Sequence, residues 1–167
     1  RMTVSAASPR RELTERRLLV HGLGVTNAAV ARAAVRHGLE VVLSDDREPA
    51  GASSLAAELD AELVLGPTPE ELESLVAVVD AVVPAPGLPE AHPLFAVAAE
   101  RGRPVLSEFD LAAAWDDRPV IAITGTNGKT TVTTLVRLML ERSGLRAAAV
   151  GNLETPLVAA ISDPDID

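Results

Sequence analysis

The chain has no cysteine, no tyrosine and very few aromatic residues, 2% of 167. Without cysteine, disulfides and thiolate metal sites are excluded, and an intracellular setting stays open. Without aromatics, the core must be built from Ala, Val and Leu, and a 47% hydrophobic content is enough to build one. Positive charge is also scarce. The net charge of −9 and the lack of a polybasic run argue against a nucleic-acid partner, because phosphate backbones demand clustered Lys and Arg. The same scarcity argues against an anionic membrane surface. No apolar run approaches the length that spans a bilayer. Residues 1–17 are polar and charged, with no apolar segment of the secretory type, and residues 1–16 read as a flexible tail. His21, His37 and His92 are scattered along the chain, so no histidine metal cluster is expected.

One further scarcity is informative by its exception. The chain has a single lysine, Lys129, and its other basic residues are arginines. That lysine sits in Thr124-Gly125-Thr126-Asn127-Gly128-Lys129-Thr130-Thr131. A compact ammonium beside glycines suits phosphate oxygens, with backbone N–H groups exposed around it. The run therefore points to a nucleoside triphosphate. Lys129 is the candidate catalytic residue, contacting the outer phosphates, and the Thr130 hydroxyl is the candidate Mg²⁺ ligand. Gly125, Thr126, Asn127, Gly128 and Thr131 complete the candidate ATP loop. Ile123 stands where the first glycine of G-x-x-x-x-G-K-[ST] belongs, so the match to that motif is incomplete.

Short apolar runs alternate with helical stretches, which is an α/β pattern. Strands are expected at 18–20, 41–43, 62–65, 81–83 and 104–106. Helices are expected at 26–36, 53–59, 69–76, 93–101 and 108–114. Residues 115–119, polar and ended by Pro119, read as a linker between a Rossmann-like domain at 17–114 and the start of a P-loop ATPase-type α/β domain at 120–167. In the second part, 120–123 and 147–150 read as strands. The intervening helix has Val132, Leu135, Val136, Met139 and Leu140 on one face. The chain starts at Arg1 and closes on a polar run at 162–167, so more chain is expected beyond it.

A second glycine turn precedes the first helix. Gly22-Leu23-Gly24-Val25-Thr26-Asn27 matches G-x-G-x-x-G at its first two glycines, with Asn27 in place of the third. Asp45 follows at the end of the second strand, where a dinucleotide site holds a ribose. Read alone, this turn fits NAD or is simply structural. Gly87, after the fourth strand, falls at the same sheet edge, where a glycine lets a ligand approach the backbone. His92 reads as a local cap or packing residue. Asn152, after the strand at 147–150, is either a loop residue or a side-chain amide facing a ligand.

Taken together, these residues resemble the Mur ligases, the ATP-dependent amide ligases of peptidoglycan synthesis. The run from Thr124 to Thr131 is similar to that family's GTNGKT[ST] loop. Gly22-Leu23-Gly24-Val25-Thr26, Asp45-Asp46-Arg47, Ala85-Pro86-Gly87-Leu88-Pro89 with His92-Pro93, and Ser107-Glu108-Phe109-Asp110-Leu111 resemble the D-glutamate-adding branch. The resemblance implies that the first domain grips a uridine diphosphate rather than NAD. It implies that Gly24, Val25 and Thr26 hold the diphosphate and uracil side, that Asp45, Asp46 and Arg47 contact the uridine, that Gly87 borders it, and that Asn152 positions the muramoyl part. It implies ATP and Mg²⁺ as cofactors, and UDP-N-acetylmuramoyl-L-alanine and D-glutamate as substrates, joined through an acyl phosphate. It also implies a cytoplasmic, monomeric protein.

Asn27 and Glu154 depart from the family, which commonly has glycine at both places. The family's metal-binding Glu and His, its carbamylated Lys and its D-glutamate-binding domain lie further downstream. This stretch is therefore expected to bind substrate without ligating it. Two other readings stay open: an NAD- or nucleotide-binding regulatory module, and a degenerate paralogue of the family.

Overall fold

A computed structural model describes residues 13–151 and 155–167. Four parallel strands form one sheet: β1 (Arg17–His21), β2 (Glu40–Asp45), β3 (Glu62–Leu65) and β4 (Ala81–Pro84), in the order β3-β2-β1-β4. Helices α1 (Val25–Arg36), α2 (Ala52–Leu59) and α3 (Pro69–Ala77) make the crossovers. The chain steps outward from β1 to β3 and then returns to the far side of β1. The order therefore reverses between β1 and β4, and in open α/β sheets that reversal opens a crevice at the carboxyl ends of the strands.

Side-chain alternation explains why the sheet is buried on both sides. Leu18, Val20, Val41, Leu43, Ala81 and Val83 face a core that includes Val30, Ala34, Leu55 and Leu111. Leu19, Val42 and Val82 face the other, against Leu72, Leu75, Val76 and Leu94. The second core includes residues of α4 (Pro93–Glu100). The first is covered by α1, α2 and α5 (Glu108–Trp115).

Two helices begin with reciprocal capping. Thr68 accepts from the Glu71 N–H while Glu71 accepts from the Thr68 N–H, and Ser107 and Asp110 do the same for α5. Each such cap contributes about 1 kcal/mol. The expected strand at 104–106 is reduced to a single bridge, Val82 to Val105.

Three expectations require correction. Residues 1–12 of the expected tail lie outside the described residues, but residues 13–16 are held: Leu13 packs on the first core and Glu15 is buried. The strands expected at 120–123 and 147–150 do not form, and Val120 and Ile121 are exposed. A strand needs a paired neighbour to satisfy its N–H and C=O groups, and among the described residues none pairs with these runs. Helix α6 (Lys129–Arg142) does form, but it has no buried residue, and its apolar face, Val132, Leu135 and Met139 among it, is exposed. A last short helix, α7 (Leu157–Ala160), was not anticipated. Its Leu157 and Val158 join the first core, and the buried Glu108 carboxylate accepts the Val158 N–H at 3.2 Å. Residues beyond the expected linker thus pack on the first sheet.

Asp80, at the entrance to β4, closes the amino end of the sheet. One of its carboxylate oxygens accepts the N–H groups of Arg16 and Arg17 at 2.8 and 2.9 Å. These hydrogen bonds, Arg16 foremost, hold its carboxyl below the ordinary value. A depressed folded-state pKa stabilises above the unfolded value and stops doing so as pH falls through the folded one. Asp80→Asn should therefore lower stability by about 1 kcal/mol at neutral pH, an estimate reduced for partial exposure. The difference from the parent chain should shrink to nothing in acid. Urea melts across pH 2–7 measure this, and a pH-independent gap would assign the effect to packing instead.

Candidate functional site

The carboxyl ends of β1, β2 and β4 converge on a cavity of about 410 Å³. Its walls come from three strand ends and the loops that follow them: His21, Gly22 and Gly24 at the end of β1; Asp45, Asp46 and Arg47 at the end of β2; and Ala85, Gly87, Leu88, Pro89 and His92 after β4. A cavity of similar size, about 420 Å³, lies at the amino ends of the strands. Its one arginine, Arg17, is already paired with Glu62 and Glu40. The carboxyl-end cavity is the one at the topological switch point.

Its loops are braced by short-range chemistry. Gly22 adopts φ +84°, and its N–H donates to Ser44 O at 2.8 Å. A Cβ at Gly22 would meet Ala85 Cβ at 2.7 Å, so this turn requires glycine on two counts. Asp45 accepts the Leu23 N–H at 2.6 Å on one oxygen and the Arg47 N–H at 3.0 Å on the other. It therefore holds the first and second loops in register. Asn27, the residue in place of a third glycine, is buried in α1. Its Nδ2 donates to His21 O at 2.9 Å and Val83 O at 3.2 Å. It ties β1 to β4 directly beneath the cavity.

The amino end of α1 opens from Gly24, which offers no side-chain cap. Its first N–H groups are left for solvent or for an anion. The amino end of α6 is similar. Gly128 enters it at φ +75° with no side-chain cap. The Lys129 Nζ folds back onto the carbonyls of Gly125 and Thr126. Thr130 and Thr131 stand exposed beside it. A phosphate group seated there would give the ammonium stronger acceptors than two backbone carbonyls.

Of the residues expected to hold a uridine diphosphate, Gly24, Asp45, Asp46, Arg47 and Gly87 line the cavity. Val25 and Thr26 open α1 beside it. Asn152 and Glu154 lie outside the described residues. The sequence reading missed His21, whose neighbours gave no sign that a strand residue would end in the cavity wall. It also placed the histidines apart. The fold brings His21 and His92 to 4.9 Å between ring centroids, with Asp46 against both. His92 does cap α4, its Nδ1 accepting the Leu94 N–H at 3.2 Å. Burial pushes the His21 imidazole below its ordinary pKa, over the opposing pull of Asp46.

A parallel sheet with a glycine-turned cavity at its switch point, followed by a glycine loop that presents a lysine and a threonine at a helix start, has the layout of an α/β nucleotide-binding fold. Comparison with known proteins narrows this. Residues 16–107 match the Mur ligase MurD-like N-terminal domain, and residues 123–162 match the Mur ligase middle domain. The chain belongs to the MurD-like Mur ligase family. It is 39% identical over 156 residues to a UDP-N-acetylmuramoylalanine–D-glutamate ligase of Syntrophus aciditrophicus, covering 92% of this chain and 34% of that protein. It is 42% identical over 164 residues to the enzyme of the same name from Thermobifida fusca, with the same coverage. Among solved structures, a pseudomurein peptide ligase type C from Methanothermus fervidus aligns with a TM-score of 0.56 at 27% identity, over 90% of this chain and 32% of that one. The chain thus spans about a third of the length of the curated relatives it matches.

The two glycines of the first loop should behave differently. Gly22→Ala should cost about 2 kcal/mol of stability, from the left-handed φ and the clash together. Gly24→Ala meets nothing within 4 Å and has φ −73°, so its stability should stay within about 0.5 kcal/mol of the parent. Thermal melts of both variants test the assignment. Equal losses would mean that Gly22 is not the strained position.

Proposed function

We propose that this chain is the substrate- and ATP-binding portion of an ATP-dependent ligase of peptidoglycan precursor synthesis. The full-length enzyme joins D-glutamate to UDP-N-acetylmuramoyl-L-alanine through an acyl phosphate. In this reading residues 17–114 hold the UDP-substrate, 115–119 link, and 120–167 begin the ATP-binding domain of a cytoplasmic monomer. Among the described residues, no helix is long and apolar enough to cross a membrane.

The observation that carries the reading is the coincidence of family and cavity. The stretch that matches the MurD-like N-terminal domain contains every wall of the switch-point cavity. The α1 amino end at Gly24, Val25 and Thr26 supplies hydrogen-bond donors for a diphosphate, and Arg47 in the same cavity wall would contact the uridine. Asp45 lines the cavity while its two oxygens each accept one backbone N–H, which leaves further acceptor capacity for a ribose of either ligand.

The second loop fits ATP with Mg²⁺. Lys129 would turn from its carbonyls to the outer phosphates, and the Thr130 hydroxyl would ligate the ion. In that role the ammonium offsets charge on the transferring phosphoryl group. The exposed α6 face (Leu135, Met139) is consistent with a middle domain of which this chain holds a part.

Calorimetric titration with UDP-N-acetylmuramoyl-L-alanine should give saturable binding, and titration with NADH none. The reverse pattern would replace the ligase reading with a dinucleotide-binding module. In the full-length protein, Lys129→Ala should lower D-glutamate-dependent phosphate release by about a thousandfold while leaving UDP-substrate binding unchanged. Retained turnover would remove Lys129 from the ATP site. The 167-residue chain alone should release no phosphate in response to D-glutamate.

A further inference from the structure

His21 at the end of β1, Asp46 just after β2 and His92 at the start of α4 meet at one point of the cavity wall. One oxygen of Asp46, Oδ1, lies 3.4 Å from His21 Nε2 and 3.3 Å from His92 Nε2. All three residues offer a ligand atom within 4.8 Å of the others. A tetrahedral ion with bonds of about 2.0–2.1 Å to nitrogen and oxygen holds its ligand atoms about 3.3 Å apart. Two of the three edges already have that length.

The state of His21 is a second, independent observation. It is 1% exposed, and neither of its ring nitrogens has a hydrogen-bond partner. Asp46 Oδ1 approaches its Nε2 at 3.4 Å, a contact longer than a well-formed hydrogen bond. A buried imidazole without a partner is costly and calls for an explanation. A metal ion at Nε2 accounts for one of the two nitrogens.

We propose that His21, Asp46 and His92 form a binding site for a divalent transition-metal ion of the zinc class, with its remaining coordination position open to the cavity. Two imidazoles and one carboxylate favour zinc, cobalt or nickel over magnesium, which prefers oxygen ligands. Three protein ligands and an open position are the arrangement of an accessible site rather than a closed structural one. The open position would take water or an oxygen of whatever occupies the cavity. The site rests on the three side chains alone and not on the ligase reading.

Binding requires one rearrangement. His92 Nδ1 now accepts the Leu94 N–H, which leaves the ring proton on Nε2. The ion takes the Nε2 lone pair, the ring proton moves to Nδ1, and the long Leu94 hydrogen bond is given up. No proton is lost overall. The exchange lowers affinity without removing the site.

The test is titration of the full chain with Co²⁺, free of nucleotide. Saturation at one equivalent, with the strong visible absorption of four-coordinate cobalt and displacement by Zn²⁺, is the expected result. Asp46→Asn and His92→Gln should each weaken binding by more than the roughly 10–100-fold typical of losing a supporting residue. His37→Gln should leave it unchanged. Asp46 is half-exposed, so its variant should keep the fold, with circular dichroism as the check. Absence of saturable absorption, the weak spectrum of a six-coordinate oxygen site, or binding undiminished in both ligand variants would each overturn the proposal. Failure of UDP-substrate to bind would not affect it.

Discussion

Everything at the candidate site depends on how the carboxyl end of β1 is held. β1 is paired on both sides, with β2 and with β4, and its last residue opens directly into the turn that starts α1. Three groups fix that junction. Gly22 allows the backbone to turn against Ala85 where a side chain would collide. Asp45 clamps Leu23 from the β2 side. Asn27 reaches back from α1 to the carbonyls of both β1 and β4. A small residue at position 27 would allow close packing but would leave those carbonyls to other partners. The amide trades space for two buried hydrogen bonds, and the result is a rigid rim around the cavity.

The two halves of the chain differ in how their apolar residues are used. In the first, alternating strand residues are covered on both faces, so the sheet is stable by burial on each side. In the second, α6 has its glycine entry and its apolar stripe, yet the stripe remains exposed and the runs on either side stay unpaired. The link between the halves is concrete. Arg118 pairs with Asp116 and donates to the carbonyls of Ile161, Asp163 and Ile166. It gathers the end of the chain to the segment after α5, while α7 inserts Leu157 and Val158 into the first core. Sequence proximity to the phosphate loop did not decide where α7 packs; its apolar residues found the face left open between α1 and α5.

The strands and helices of the first half were legible because their signals are local. Short apolar runs and the helical stretches between them each act within a few positions of themselves. The phosphate loop was legible for the same reason, since glycine, lysine and threonine do their work in one continuous segment. Asp46 and Arg47 could be placed because they follow a strand that ends at the sheet's carboxyl edge. What escaped were features made by pairing across the chain. His21 and His92 stand far apart in sequence and touch in space. Asp45, expected to contact the uridine, lines the cavity and also braces the backbone of two loops. Asn27, a departure from a motif when read linearly, is a brace when folded.

By itself, then, the sequence determined the alternation of elements, the glycine turns and the chemistry available at each loop, because backbone propensity and residue type are properties of short segments. Only the tertiary structure decided which loops share a cavity, which polar groups are used up in bracing it, and which are left free to act. Those outcomes depend on strand order, on the crossover from β3 back to β4, and on burial, and none of the three is a property of any stretch of residues taken alone.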